Sequence, residues 1–155
     1  MNIRFVTAAD IPALTALEYQ HYEAEGYPSA FLFQAYRQWP QMFWVAHANN
    51  ETCGYVLAAP GTASNEAWIM SALINVNYQG QGVGSRLMAE AVKALATQGF
   101  TLIKLSVAPE NTRALKLYEK LGFVVVEQKD NYLGMGEHRL IMCHEVNFKA
   151  CSNNT

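Results

Sequence analysis

The stretch Tyr78-Gln79-Gly80-Gln81-Gly82-Val83-Gly84-Ser85-Arg86-Leu87 limits the fold of this 155-residue chain more than any other. Before it, Ala67 to Val76 is apolar and partly β-branched, which suits a buried strand; after it, Val83, Leu87, Met88, Ala91 and Leu95 recur at helical spacing. A second strand pattern, Thr101 to Val107, and a second helical one, Asn111 to Leu121, follow directly. Strand, helix, strand, helix in this order implies a parallel pair with a right-handed crossover, so the chain reads as α/β. Three glycines stand at the first strand-to-helix junction, where free amides and the helix dipole offer partial positive charge. Residues without Cβ let the backbone approach a ligand, and the junction reads as a cradle for phosphate oxygens. It lacks the Gly-Lys-Ser/Thr ending of a nucleoside-triphosphate loop, since Ser85-Arg86 follow Gly84. The third glycine of a dinucleotide fingerprint is replaced by Ser85.

Gln79-x-x-Gly82-x-Gly84 resembles the pyrophosphate loop of the GNAT superfamily of acyl-CoA-dependent N-acyltransferases. Downstream, Asn111-Thr112-Arg113-Ala114-Leu115-Lys116-Leu117-Tyr118-Glu119-Lys120-Leu121-Gly122-Phe123 resembles the second signature of that superfamily, and the two occur in the family's order. The resemblance spans Ala67 to about Val126. It implies a GNAT-type mixed, twisted sheet, with antiparallel N-terminal strands, then a parallel central pair, and helices on both faces. It also implies transfer of acetyl from acetyl-CoA to a primary amine by direct attack in a ternary complex. In the family the fourth and fifth strands splay and the pantetheine arm lies between them. By that resemblance Ala72, Leu73 and Ile74 present backbone to the pantetheine and thioester, while Gly80, Gln81, Gly82, Val83, Gly84 and Ser85 hold the pyrophosphate. Asn111 matches the asparagine that bonds the pantetheine arm, and also reads as a plain helix N-cap. Tyr118 matches the tyrosine that protonates the departing thiolate, a role a phenol can fill. Val76 stands where many relatives carry proline.

The length suits one domain, expected here over residues 1–148 with a mobile, polar tail at 149–155. Along the chain, Ile3 to Val6 reads as a first strand and Thr7 or Asp10 as the cap of a helix with Pro12 in its first turn. A second helix runs through Phe31, Phe33, Tyr36 and Trp39 to Pro40. Met42 to His47 and Cys53 to Ala59 read as strands joined by Asn49-Asn50-Glu51. Phe123 to Glu127 and Leu140 to Val146 complete the sheet, joined by the loop Asp130 to Glu137.

Charge and cysteine content narrow the function classes. Residues 1–77 hold six acids (Asp10, Glu18, Glu23, Glu25, Glu51, Glu66) against Arg4 and Arg37, a balance of -4, so the remainder of this -2 chain carries +2. The phosphate-cradle half is therefore the basic half, which suits an anionic cofactor and a cationic acceptor. The net charge argues against nucleic-acid binding. No segment is long and apolar enough for a bilayer, so the expectation is a cytoplasmic protein without membrane partners. Cys53, Cys143 and Cys151 lack CxxC spacing and read as reduced thiols. His21, His47, His138 and His144 share no ligand spacing, so no metal is expected.

The acceptor side is less explicit. In the family the region between the first two helices helps form the acceptor site, which makes Glu18, Tyr22, Glu23, Glu25 and Tyr27 candidates for gripping an amine. An acidic, solvent-facing turn with aromatic anchors has the same composition. Relatives often carry a general base as a glutamate on the fourth or fifth strand, but Trp68, Met70 and Ser106 occupy the nearby positions. Glu66, Tyr132, Glu137 and His138 are the substitutes, with Glu66 at the strand entrance the first choice for the base, and Tyr132 and Glu137 also candidates for substrate contact. At pH 7, deprotonating a lysine-like amine of pKa 10.4 costs about 4.6 kcal/mol and an α-amino group near 7.8 about 1 kcal/mol. A weak base therefore leans towards protein N-termini or amino acid derivatives, whereas the acidic 19–28 segment leans towards polyamines. The expected partner is an amine-bearing small molecule or peptide, and family habit extends to a homodimer. Two rivals stand beside this reading: a catalytically inactive acyl-CoA-binding module, and a nucleotide-dependent oxidoreductase.

Overall fold

A computed structural model describes residues 1–146; the expected tail, 149–155, lies outside the described residues. The elements are β1 (Asn2–Phe5), α1 (Ile11–Tyr22), α2 (Ser29–Gln38), β2 (Phe43–Ala48), β3 (Glu51–Pro60), β4 (Glu66–Ile74), α3 (Val83–Thr97), β5 (Leu102–Val107), α4 (Thr112–Lys120), β6 (Val124–Lys129) and β7 (Arg139–Glu145). Short 3-10 turns stand at Ala8–Asp10, Glu23–Glu25 and Val76–Tyr78. The strands form one mixed, seven-stranded sheet in the order β1-β2-β3-β4-β5-β7-β6. β4 and β5 are parallel, whereas β1 with β2, β2 with β3, β5 with β7 and β6 with β7 are antiparallel. The last strand thus inserts between β5 and β6, an order that the sequence pattern left open.

The chain groups into two compact units, the first made of Met1–Ala59 and Met70–Ala91, the second of Pro60–Ile69 and the residues from Val92 on. In the first unit the apolar stripe of α1 buries Ile11, Leu14 and Leu17, and α2 adds Leu32 and Ala35. They meet Phe43 and Tyr55, whose rings lie 5.7 Å apart. Each such side chain contributes about 1.5–3 kcal/mol by leaving water. The start of α1 is fixed by a buried carboxylate. Asp10 accepts bonds from Arg4 at 2.7 and 2.9 Å and from the Thr7 amide at 2.8 Å, and His47 Nε2 lies 3.3 Å from it. Burial pushes this carboxyl up, but the Arg4 and Thr7 bonds win and hold it well below the usual carboxylate range.

The hairpin between β2 and β3 turns on Asn49 and Asn50 alone, at φ 54 and 60, with Ala48 facing Glu51. Two left-handed residues match the strand twist, so Glu51 joins the strand instead of the expected linker. β4 stops at Ile74, two residues before the expected end, because the Asn75 side chain accepts a bond from the Asn77 amide at 3.0 Å and starts a 3-10 turn. The turn that Val76 opens is thus capped by the preceding asparagine.

In the second unit β5 alternates, with Ile103, Leu105 and Val107 buried, and β7 buries Ile141, Met142 and Cys143. Phe123 seals the end of α4 beside the His144 ring. At the sheet edge β6 exposes all its residues and carries a bulge between Val125 and Glu127. No helix among the described residues is long and apolar enough to cross a membrane.

Candidate active site

The glycine turn forms its cradle by backbone conformation. Gly80 and Gly82 sit at φ 77 and 80, a region in which a side chain costs about 1–2 kcal/mol. A Cβ on Gly82 would meet nothing within 4 Å, so its glycine is required by the turn and not by crowding. The first helical bond after the turn runs from the Arg86 amide to the Gly82 carbonyl at 3.1 Å. The amides of Val83, Gly84 and Ser85 precede it and therefore have no helical carbonyl to meet. Two side chains brace the turn from behind: Gln79 Nε2 donates to the Ile74 carbonyl at 3.4 Å, and Gln81 Nε2 to the Asn77 carbonyl at 3.1 Å. Gln81 consequently offers a ligand its amide, since its side chain is engaged. The donor set, consecutive amides at a helix start with exposed Arg86 on the first turn, fits an anionic phosphate group.

Ala72, Leu73 and Ile74 lie in the same unit, at the end of β4. The parallel register of β4 with β5 runs only from Glu66↔Leu102 to Trp68↔Lys104, and β4 continues beyond it. Leu73 is buried, while Ala72 and Ile74 are partly exposed.

The acceptor candidates divide. Tyr22, Glu23 and Glu25 are exposed where α1 ends, with Glu23 at φ 53, and Tyr27 is half-buried with its ring 4.5 Å from Phe31. Glu18 behaves differently. It is 2% exposed, and both carboxylate oxygens are committed. Oε1 accepts from the Tyr55 hydroxyl and, at 3.2 Å, from Ser71 Oγ; Oε2 accepts from the Tyr27 amide at 3.0 Å. Glu18, a candidate for gripping an amine, thus already accepts from three protein donors and is closed off from solvent. Burial and the Glu18 bond push the Tyr55 phenol far up, so it stays a donor.

In the second unit Glu66 is likewise engaged. It accepts from the Trp68 indole at 2.7 Å and from Lys104 Nζ at 3.1 Å, and these two bonds, the indole's first, hold its carboxyl below the usual value. Each of its two oxygens therefore already has a protein donor. Asn111 caps α4, its Oδ1 accepting from the Ala114 amide at 3.2 Å, while its amide donor side lies outside the cap. Tyr118 is half-buried, its ring 6.0 Å from Phe123. In the loop before β7, Tyr132 and Glu137 are exposed, and Glu137 lies 3.3 Å from Arg139. His138 accepts a bond from the Asn131 amide at 3.0 Å. Among the described residues no group of three His, Cys, Asp or Glu converges on a point.

Residues 10–123 match the Acetyltransferase (GNAT) family, a span that contains both the cradle and Tyr118. The chain belongs to the GNAT acetyltransferase family. As an acyltransferase of this family it is 26% identical over 129 residues to an N-alpha-acetyltransferase of Sulfurisphaera tokodaii, covering 76% of this chain and 77% of that protein. The crystal structure of Ard1 from Thermoplasma volcanium superposes with a TM-score of 0.85 at 25% identity, covering 94% of this chain and 97% of the other. The fold is shared at 18% identity with yncA from Salmonella typhimurium, whose structure holds its cofactor acetyl-CoA, with a TM-score of 0.82 and coverage of 99% and 98%.

Sequence reading of this GNAT chain missed Tyr55, Ser71 and Lys104, the partners that bind up the two glutamates. One signal for the first pair was present. Glu18 falls seven residues after Ile11 and four after Leu14, on the buried stripe of α1, where a carboxylate needs donors.

Proposed function

We propose that the chain transfers the acetyl group of acetyl-CoA to a primary amine, with the α-amino groups of peptides as the acceptor class. The cradle carries the reading: open amides at the start of α3 behind Gly80 and Gly82 fit the pyrophosphate of CoA. Charge-assisted bonds contribute roughly 1.5–3 kcal/mol each, so a few of these amides suffice to anchor the cofactor. Backbone of Ala72, Leu73 and Ile74 would hold the pantetheine arm and thioester, joined by the Asn111 amide.

Acetyl-CoA supplies an activated acyl group, and the chain supplies position and protons. The neutral amine forms its bond to the acyl carbon as the carbon–sulfur bond breaks; Tyr118 gives its phenolic proton to the sulfur, and the proton lost by the nitrogen returns to the phenolate through solvent. With Glu66 tied to Trp68 and Lys104, that carboxylate gives little help in stripping an ammonium ion. An α-amine needs about 1 kcal/mol for that step against about 4.6 for a lysine, which favours peptide N-termini. The name of the Sulfurisphaera relative supports the same acceptor. A cytoplasmic setting suits the free, buried thiols of Cys53 and Cys143.

The test is CoA thiol release from acetyl-CoA with N-terminal peptides, lysine peptides, polyamines and small amines. Turnover on the peptide α-amines, lowered by Tyr118→Phe, is the expected result. CoA binding by calorimetry with no release on any amine would favour a catalytically silent acyl-CoA-binding module, which the engaged state of Glu66 also supports.

A further inference from the structure

We infer that Glu18 is a positioning residue, which sets the acidic segment after α1 in register with the strand that carries the acyl group; this rests on the acetyl-transfer reading above. One carboxylate holds both. Oε1 is bonded by Ser71, the residue before Ala72 on β4, and Oε2 by the Tyr27 amide at the end of the segment. Tyr55 on β3 closes the cluster, with its hydroxyl bonded to Glu18 and 3.1 Å from Ser71 Oγ.

The same segment is held at a second point. A Cβ on Gly26 would lie 2.7 Å from the Glu18 carbonyl oxygen, so the chain passes directly against the α1 backbone and admits only glycine there. Between the end of α1 and these two anchors Glu23 sits at a positive φ of 53, which a residue with a side chain does not hold without restraint. The result is a fixed arch that leaves Tyr22, Glu23 and Glu25 exposed. Stability alone is a poor reason for a charge at 2% exposure, since well-packed apolar residues often replace buried ionic groups without loss. A carboxylate here does what a leucine cannot: it accepts from two hydroxyls and an amide on three separate pieces of chain. Since its own charge is spent inside, Glu23 and Glu25 are the carboxylates left on this arch to meet an ammonium or amine.

The experiment compares the full chain with Glu18→Ala, Glu18→Gln and Ser71→Ala, by hydrogen exchange and by two-substrate kinetics. In Glu18→Ala the amides of Glu23 to Tyr27 should exchange at least about tenfold faster, the scale of one lost bond, with α3 unchanged. The amine KM should rise about tenfold while the acetyl-CoA KM stays within about twofold. Glu18→Gln keeps an oxygen for the Tyr27 amide and should recover most of the amine KM; Ser71→Ala should show a smaller rise of the same kind. If the alanine variant does not fold, the glutamine and Ser71 variants carry the comparison. Equal losses for both substrates, or unchanged exchange over residues 23–27, overturn the inference. If the wild type acetylates no amine, the acetyl-transfer reading falls on its own, and exchange over the arch still decides whether Glu18 fastens it.

Discussion

At the scale of single residues, three side chains lead to separate measurements. Tyr118 is the acid of the proposed reaction, and a well-placed general acid contributes about 10²- to 10⁴-fold. Tyr118→Phe should therefore lower kcat at least about a hundredfold with CoA affinity, read by calorimetry, unchanged. Glu66, bonded to Trp68 and Lys104, should not report as a base: in Glu66→Gln the acidic limb of the kcat profile stays where it is in the wild type. Asp10 makes a prediction about stability. Its carboxyl is held below its unfolded value, so its contribution is complete above the unfolded pKa near 3.9 and is lost as pH falls towards the depressed folded one. Urea midpoints should drop between pH 5 and pH 3 more in the wild type than in Asp10→Asn. At neutral pH that variant should be about 1–3 kcal/mol less stable.

Elements show how far the sequence could be read. The strand, glycine turn and helix around residue 80 were legible because each part is local: β-branched run, glycines, 3.6-residue stripe. Their test is equally local. Gly82→Ala forces a side chain into φ 80, and acetyl-CoA binding should weaken about tenfold, or about 1.4 kcal/mol, with a lower unfolding temperature. Element ends were less legible where one or two residues decided them, as the Asn75 side chain did for β4 and the Asn49-Asn50 backbone for the β2–β3 hairpin. Partners distant in sequence were illegible altogether. Nothing in the spacing of Glu18, Tyr55 and Ser71, or of Glu66 and Lys104, announces that they meet, since only the folded sheet brings them together. The position of β7 between β5 and β6 belongs to the same class.

For the whole molecule the open variable is the acceptor, and pH separates the candidates. If no side chain of the enzyme strips the ammonium proton, rate follows the neutral fraction of the amine. Between pH 7 and 9 that fraction grows about a hundredfold for a lysine side chain and less than about tenfold for an α-amine. Rates of acetylation measured on matched peptides across this range should diverge in that proportion; parallel profiles would point to a base on the enzyme. The bonds from Gln79, Gln81, Asn77 and Arg86 run between residues 74 and 86, Asn75 and Tyr78 tie the preceding turn to Thr52 and Glu51 on β3, and the Val76 amide reaches Gln20 on α1, whereas the arch after α1 is secured by Glu18; none of the bonds just named uses residues 22–25. Lineages carrying this arrangement can change the residues displayed at 22–25 without disturbing how the donor is held. Drift in substrate range under a constant cofactor is then the expected evolutionary history, with variation gathering in a handful of exposed positions on a scaffold that has no cause to follow.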